Sequence, residues 1–188
     1  MKRTILSLLI IATTAFTGCD DKKIYKAKVV DSTVEGIEYQ CGGIINYTNK
    51  DGQISCYHLP LGFRVGAIKI GVTYSLPADG ILFPQDMLNV PREDLVNEKV
   101  KKLTMLLQTL DSDSNPANGI TITKETRDKL DEFIDLQKVS LSELQEYLET
   151  KLNKTLINED SAIEHLYRSM IRYHALPEDF LLEDETLE

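Results

Sequence analysis

Glycine is distributed so unevenly along this 188-residue chain that its two parts cannot share one kind of secondary structure. Eight of the ten glycines lie between Gly36 and Gly80, together with two of the three cysteines, whereas only Gly119 follows Arg92. Glycines, β-branched residues and turn signals favour strands in the first part, and the second part, rich in leucine, lysine and glutamate, favours helices. The sequence therefore predicts an α+β fold, with a small antiparallel β module over residues 28–84 followed by a four-helix region within residues 85–176.

The composition is that of a folded, acidic protein. Hydrophobic residues make up 42% of the chain and charged residues 27%, which is ordinary for a globular protein. The formal net charge is −9, and residues 177–188 form a predicted acidic tail that contains no basic residue. Because a nucleic-acid-binding protein needs a concentrated basic surface, we predict no nucleic-acid partner. No apolar run after the N-terminus is long enough to cross a bilayer.

The N-terminus has the three parts of a secretory signal. Lys2 and Arg3 form a short positive region, residues 5–16 form an apolar stretch, and small residues precede Cys19. This order is typical of an export signal, and the apolar stretch is too short to be a stable membrane anchor. We therefore predict a signal peptide over residues 1–18, with cleavage directly before Cys19.

The end of this segment resembles the lipobox of bacterial lipoproteins, although Phe16 stands where that family usually has a smaller aliphatic residue. The resemblance implies that Cys19 receives the lipid, that residues 19–27 form a lipidated tether, and that the protein is anchored in the cell envelope. Two acyl-bearing groups supply the two hydrophobic signals that stable anchoring needs. Asp20 and Asp21 resemble residues that retain enterobacterial lipoproteins on the periplasmic face of the inner membrane, and the outer membrane stays open as well. The alternative is ordinary secretion with a free Cys19 thiol.

Turn signals and hydrophobic periodicity predict the individual elements. Asp51-Gly52 favours a hairpin between strands over residues 43–47 and 53–59, and a parity slip at Gly66 indicates a β-bulge. Among the helices, Pro91 suits a first helical position, and the second helix is expected over residues 124–137. The third and fourth helices are expected to begin at capping residues, which are Ser140 with Glu143 and Asn158.

The two remaining cysteines predict a disulfide. Cys41 and Cys56 lie 15 residues apart on either side of the predicted turn, and an exported protein meets an oxidising environment. A single pairing is available, and the chain-entropy model assigns a loop of this size about 3 kcal/mol of stabilisation. The competing interpretation is a reactive Cys56 thiol beside His58, two residues further along the same predicted strand.

An acidic loop over residues 111–119 is the one candidate metal site in the sequence. Side-chain oxygens alternate at Asp111, Asp113 and Asn115, and Asn118 can add a fourth, so the loop has the opening pattern of a calcium site. It is not an EF-hand, because it lacks glycine at the sixth position and glutamate at the twelfth. A plain interhelical turn built on Asx chemistry is the alternative, and spacing alone leaves both open.

The chain resembles a group of exported bacterial proteins of unassigned activity, many of them lipid-anchored. The resemblance runs from about residue 29 to residue 122 and implies a cell-envelope module, often attached to surface or adhesin-like proteins. It also favours calcium at the acidic loop. The segments that carry it are Asp31 to Cys41, Cys56, Phe63 to Gly71, Pro84-x-Asp86, and Leu106-Leu107-Gln108-Thr109-Leu110-Asp111-Ser112-Asp113 with Asn118-Gly119-Ile120.

No catalytic constellation stands out in the sequence. His58, His165 and His174 show no metal-ligand spacing, and we expect His165 to face solvent or a partner. The sequence therefore favours a non-enzymatic, lipid-anchored envelope protein of the interaction or adhesion type, with a protein or glycan as partner. An envelope hydrolase or its accessory subunit is the alternative, and a structural lipoprotein without a ligand is the third interpretation.

Overall fold

The computed structural model describes residues 23–176. The predicted signal peptide, the predicted lipidation site at Cys19 and the predicted acidic tail over residues 177–188 lie outside the described residues. Within residues 23–176, no helix has the length and apolar character needed to cross a membrane.

The described residues form ten strands and five α-helices. The strands are β1 (Tyr25–Val29), β2 (Val34–Glu35), β3 (Glu38–Cys41), β4 (Ile44–Tyr47), β5 (Gln53–Cys56), β6 (Leu61–Val65), β7 (Ile68–Thr73), β8 (Ile81–Leu82), β9 (Ile120–Thr121) and β10 (Ile134–Asp135). The helices are α1 (Pro84–Leu88), α2 (Glu98–Leu110), α3 (Lys124–Lys129), α4 (Leu141–Leu152) and α5 (Glu159–Arg172). A short 3₁₀ helix spans Pro116–Asn118 within the acidic loop.

The strands form three sheets, and the predicted α+β class is confirmed. The largest sheet has the order β10-β7-β6-β3-β4, with antiparallel pairs except for the parallel pair of β10 with β7. A second sheet has the order β5-β1-β8, and β2 pairs with β9 in parallel. Since β9 and β10 come from the second part of the sequence, both parts of the chain contribute to the same sheets.

The core lies between the inner face of the five-stranded sheet and the helices. Strand alternation buries Leu61, Phe63 and Val65 on this face, and α2 contributes four fully buried leucines from Leu103 to Leu110. Gly71 lets α1 approach β7 closely, because a Cβ atom at this position would lie 2.3 Å from the carbonyl oxygen of Met87.

The predicted hairpin at Asp51-Gly52 is wrong, because its two strands belong to different sheets. β4 pairs with β3, whereas β5 pairs with β1. The turn itself forms, since the Gly52 N–H donates to the carbonyl oxygen of Asn49 over 2.8 Å. It passes the chain from one sheet to the next, and the local hairpin is instead β3–β4, closed at Gly42 and Gly43.

The parity slip at Gly66 is a two-residue turn rather than the predicted bulge. Val65 pairs with Ile68 across this turn, and Gly66 has a φ of +57°, which glycine adopts without strain. The register irregularity of the β6–β7 pair lies between Phe63 and Arg64 instead. β6 and β7 therefore form a second hairpin around this turn.

The prediction of four helices is met only in part. The structure adds the short helix α1, and α2 begins at Glu98 after its N-cap Asn97, rather than near Pro91. The capping box of Ser140 with Glu143 opens α4, and Asn158 caps α5, as expected.

The second predicted helix ends eight residues before the expected residue 137. The N–H of Ala67 donates to the carbonyl oxygen of Leu130 over 2.7 Å, and the N–H of Ile134 donates to Ala67 in return. These bonds draw the chain after Lys129 into the edge of the large sheet as β10. Pairing with β7 outweighs the helix propensity of this segment.

Candidate functional site

The predicted disulfide forms, but it joins two sheets rather than two strands of one hairpin. Cys41 ends β3 in the five-stranded sheet, Cys56 ends β5 in the three-stranded sheet, and their Cα atoms are 5.6 Å apart. Both residues are buried. The bond therefore fixes one sheet against the other beside the segment that carries β4. His58 donates its N–H to the Cys56 sulfur over 3.2 Å.

The acidic loop brings Asp111 and Asp113 together. Asp111 caps the C-terminus of α2 and is buried. One of its carboxylate oxygens accepts the N–H of Thr121 (2.9 Å), and the other accepts the N–H of Asn115 (2.8 Å). Asp113 accepts the same Asn115 N–H (3.0 Å) and the side-chain amide of Asn118 (2.9 Å). The two carboxylates thus meet at the Asn115 N–H, and Asn115 contributes this backbone donor to the cluster.

The two carboxyl groups have opposite electrostatic environments. Burial raises the pKa of Asp111, and the neighbouring Asp113 adds to this effect. The pKa of exposed Asp113 is lowered, first by the hydrogen bond from Asn118. Lys154 donates to the carbonyl oxygens of Thr109 (2.7 Å) and Asp111 (2.6 Å) at the base of the loop. Within residues 23–176, no group of three or more histidine, cysteine, aspartate or glutamate side chains is placed to hold a metal ion.

The outer face of the five-stranded sheet carries an open groove of about 340 Å³. Register explains its lining, because Gln40 lies opposite both Gly62 and Ile45, and Arg64 lies opposite Lys69. Their strand neighbours point inward into the core. The glycine leaves the floor of the groove open, and Ile45 on β4 closes one side.

Phe133 forms the most exposed wall of this groove. It lies directly before β10 and is 75% exposed, although it belongs to a segment for which the sequence predicts a helix. Arg64 and Lys69 supply positive charge, and each is paired: Arg64 with Glu38 at 2.5 Å and Lys69 with Asp135 at 3.5 Å. The described lining residues include no carboxylate and no histidine. Apolar side chains, one amide and two paired cations therefore line the groove.

A buried polar cluster lies where α5 packs against the end of β1, and sequence reasoning missed it. Asp31 is fully buried and accepts the side-chain amide of Gln108 over 2.9 Å, while its other carboxylate oxygen has no hydrogen-bond partner. That oxygen lies 3.6 Å from Nε2 of His165, which also lies 3.1 Å from the Ser32 hydroxyl. The expectation that His165 faces solvent or a partner does not describe these contacts.

The electrostatics of this cluster follow from burial. Burial raises the pKa of Asp31 from its ordinary value of 3.8 to about 7, and the hydrogen bond from Gln108 offsets part of that increase. Burial also lowers the pKa of His165, so the two side chains do not form an ion pair at neutral pH. A signal for the cluster exists in the sequence: His165 and Ser169 lie three and seven residues after Ala162, on the same face of α5 as the buried Leu166 and Met170.

Comparisons of the chain with protein-family models, with characterised proteins and with solved structures found no match. Function is therefore inferred from the residues of the chain itself.

Proposed function

We propose that the chain is a lipid-anchored protein of the bacterial cell envelope that binds another macromolecule and does not act as an enzyme. The observation that carries this proposal is the open groove on the outer face of the five-stranded sheet. A site for chemistry needs a positioned acid, base or nucleophile in reach of a substrate. The groove offers apolar walls, an amide and paired cations instead.

The partner that fits this groove best is a protein. An exposed aromatic ring beside aliphatic side chains, with charged groups at the margin, is the usual anatomy of a protein-binding surface. Phe133 and Ile45 supply the apolar part, and Arg64 and Lys69 supply the margin. The disulfide beside β4 keeps this surface in shape in an oxidising compartment. The alternative partner is a glycan, and the cross-linking experiment distinguishes a glycan from a protein.

Photo-cross-linking of the full chain in living cells tests the proposal. A photoreactive phenylalanine analogue at Phe133 is expected to cross-link to a macromolecule, whereas the analogue at Val96, which is 64% exposed but outside the groove, is not. The variant Gly62→Leu should lower the yield about tenfold by filling the groove. The backbone accepts a side chain at this position, since a Cβ atom at Gly62 would lie 4.0 Å from the nearest atom, the Cβ of Gln40.

Three results would contradict the proposal or narrow it. Equal yields at Phe133 and Val96, or a yield that Gly62→Leu leaves unchanged, would remove the groove as the binding surface. A product that a muramidase trims but a protease does not would identify a glycan.

In the same cells, the full chain should sediment with membranes and incorporate palmitate, and Cys19→Ala should do neither.

An envelope hydrolase is the second candidate function, and one observation favours it. The Ser32 hydroxyl lies 3.1 Å from Nε2 of His165, as in a nucleophile–base pair. Two features weigh against catalysis: Ser32 is only 5% exposed, and the Asp31 carboxylate approaches the same ring nitrogen as the hydroxyl. In a triad the carboxylate orients the base through the other nitrogen.

Calcium at the acidic loop is part of the proposal, as a structural ion rather than a reactive one. The carboxylates of Asp111 and Asp113 converge, which suits a hard cation, and Asn118 together with loop carbonyls would complete the oxygen set. The converging atoms are held by loop N–H groups, so an ion must replace these hydrogen bonds. A site of this kind binds weakly, with a Kd of about 1 mM.

A calcium-dependent melting temperature tests this part. At roughly 5 mM calcium, a site with a Kd of about 1 mM should stabilise the protein by about 1 kcal/mol and raise the Tm by about 3 °C relative to chelator. Asp113→Asn should abolish the rise, because it removes the negative charge of one of the two neighbouring carboxylates while the side chain keeps its shape. The matched control Asp128→Asn removes an exposed carboxylate from α3 and should keep it. An unchanged Tm in the wild type would leave residues 111–119 as a plain turn.

A further inference from the structure

Strand β4 is an exposed edge of the five-stranded sheet. It pairs with β3 on one side, and no described strand pairs with its other side. Its side chains are exposed on both faces of the sheet, with Ile44 at 67%, Ile45 at 43% and Tyr47 at 50%. A strand in this position presents unpaired N–H and C=O groups to whatever can pair with them.

The usual protections of an edge strand are missing from β4. No charged residue and no proline occurs from Tyr39 to Asn49, and the β3–β4 register has no bulge. The opposite edge of the same sheet differs, because β10 is only two residues long and ends in Asp135, which pairs with Lys69 and Lys138. The β10 edge of the sheet is therefore protected against pairing with another strand, and the β4 edge is not.

We propose that β4 joins two copies of this chain, paired antiparallel about a two-fold axis into one continuous sheet. A two-fold contact requires a surface that is complementary to itself. The chain carries a formal net charge of −9, so two copies repel each other overall. β4 is neutral and brings no like charges opposite one another, which makes a second copy the occupant that suits it.

The residues around β4 support a preformed edge. The Arg127 guanidinium lies 4.6 Å from the centre of the Tyr47 ring, and Glu38 lies 3.8 Å from the same arginine. This contact holds Tyr47 in place while Glu38 balances the charge of Arg127. A pairing centred on Asn46 places Ile45 opposite the partner's Tyr47 on the same face of the sheet, so that an aliphatic side chain meets an aromatic one on each side of the axis.

The β4–β4 contact is too small to hold two free copies together tightly, and the proposed lipid anchor raises the local concentration of the copies. A pairing of four residues buries less area than the interfaces of stable soluble dimers. Two copies anchored in one membrane have a raised effective concentration, and in this respect the inference rests on the proposed function. Because Ile45 also lines the groove, the dimer would place two grooves on one sheet surface.

Native mass spectrometry of the full chain, released from detergent at about 1 to about 100 μM, tests the proposal. The wild type is expected to show a dimer that increases with concentration. Ile44→Lys should raise the dimer dissociation constant about tenfold, because lysine on an edge strand blocks pairing. The control Val96→Lys adds the same charge at an exposed apolar position before α2 and should leave the constant unchanged.

Hydrogen exchange on the wild type keeps the proposal falsifiable if Ile44→Lys impairs folding. Amide protons within residues 44–47 should exchange more slowly at the higher concentration, and those of the exposed segment around Val96 should not change. Each of three results would overturn the dimer. They are a monomer at every concentration, a dimer that Ile44→Lys leaves intact, and hydrogen exchange in β4 that does not change with concentration. None of these results affects the groove, which is tested separately at Phe133.

Discussion

Asp31→Asn is expected to remove a pH-dependent loss of stability of about 4 kcal/mol. Burial raises the pKa of Asp31 to about 7 in the folded state, against an ordinary value of 3.8. Each pKa unit corresponds to about 1.4 kcal/mol, so the difference between these values corresponds to about 4 kcal/mol. Asparagine has the shape of the protonated acid and cannot ionise. The variant should therefore be the more stable protein at neutral pH.

The direction of this pH dependence follows from whether the folded or the unfolded protein binds the proton more tightly. Between about pH 4 and about pH 7 the folded protein keeps a proton on Asp31 that the unfolded chain has released, so this group's stabilisation is complete below about pH 4. It is lost as the pH rises through about 7, when a charge forms on an oxygen that has no hydrogen-bond partner. Neutral His165 does not compensate this charge, because burial lowers its pKa.

Urea unfolding at a series of pH values measures the effect. The difference in unfolding free energy between Asp31→Asn and the wild type should grow in favour of the variant by about 4 kcal/mol from about pH 4 to about pH 8. Asp128→Asn, on the surface of α3, should show no such trend. A constant difference across the range would mean that Asp31 ionises as freely when folded as when unfolded.

Local patterns predict the elements of this fold better than their partners. The Asp51-Gly52 turn, the capping box at Ser140 and the Asn158 cap all form as expected, because each depends on residues within a few positions. Which strands pair is decided by contacts far apart in sequence. β5 pairs with β1 instead of the predicted partner β4. The residues after Lys129 form a strand that pairs with β7 instead of continuing the predicted helix.

The candidate sites divide in the same way. The disulfide follows from the local spacing of the two cysteines, and the sequence predicts it. The groove needs β3, β4, β6 and β7 in one sheet and Phe133 beside them, an arrangement that no local pattern contains. The Asp31 cluster brings together Asp31 and His165, which lie 134 positions apart in the sequence. Its one signal in the sequence is the presence of polar residues on the buried face of α5.

Removing the disulfide with Cys41→Ala and Cys56→Ala together is expected to lower the unfolding free energy by about 3 kcal/mol. The bond closes a loop of 15 residues, and opening it restores that much chain entropy to the unfolded state. For a protein of this length the change corresponds to a fall in Tm of about 9 °C. Alanine fits both buried positions without adding a polar group.

The loss should also spread beyond the two cysteines, because the bond joins two sheets. Hydrogen exchange in the double variant should rise within β4 and β5, the strands between the two positions, while α4 keeps its protection. The variant and its reference protein should both carry Cys19→Ala, so that the proposed lipid anchor is absent from each and the Cys41–Cys56 bond is the one difference between them. If the double variant unfolds at the wild-type urea concentration, the packing of β3 against β5 already fixes the two sheets. In that case the groove and the β4 edge keep their shape without the covalent link.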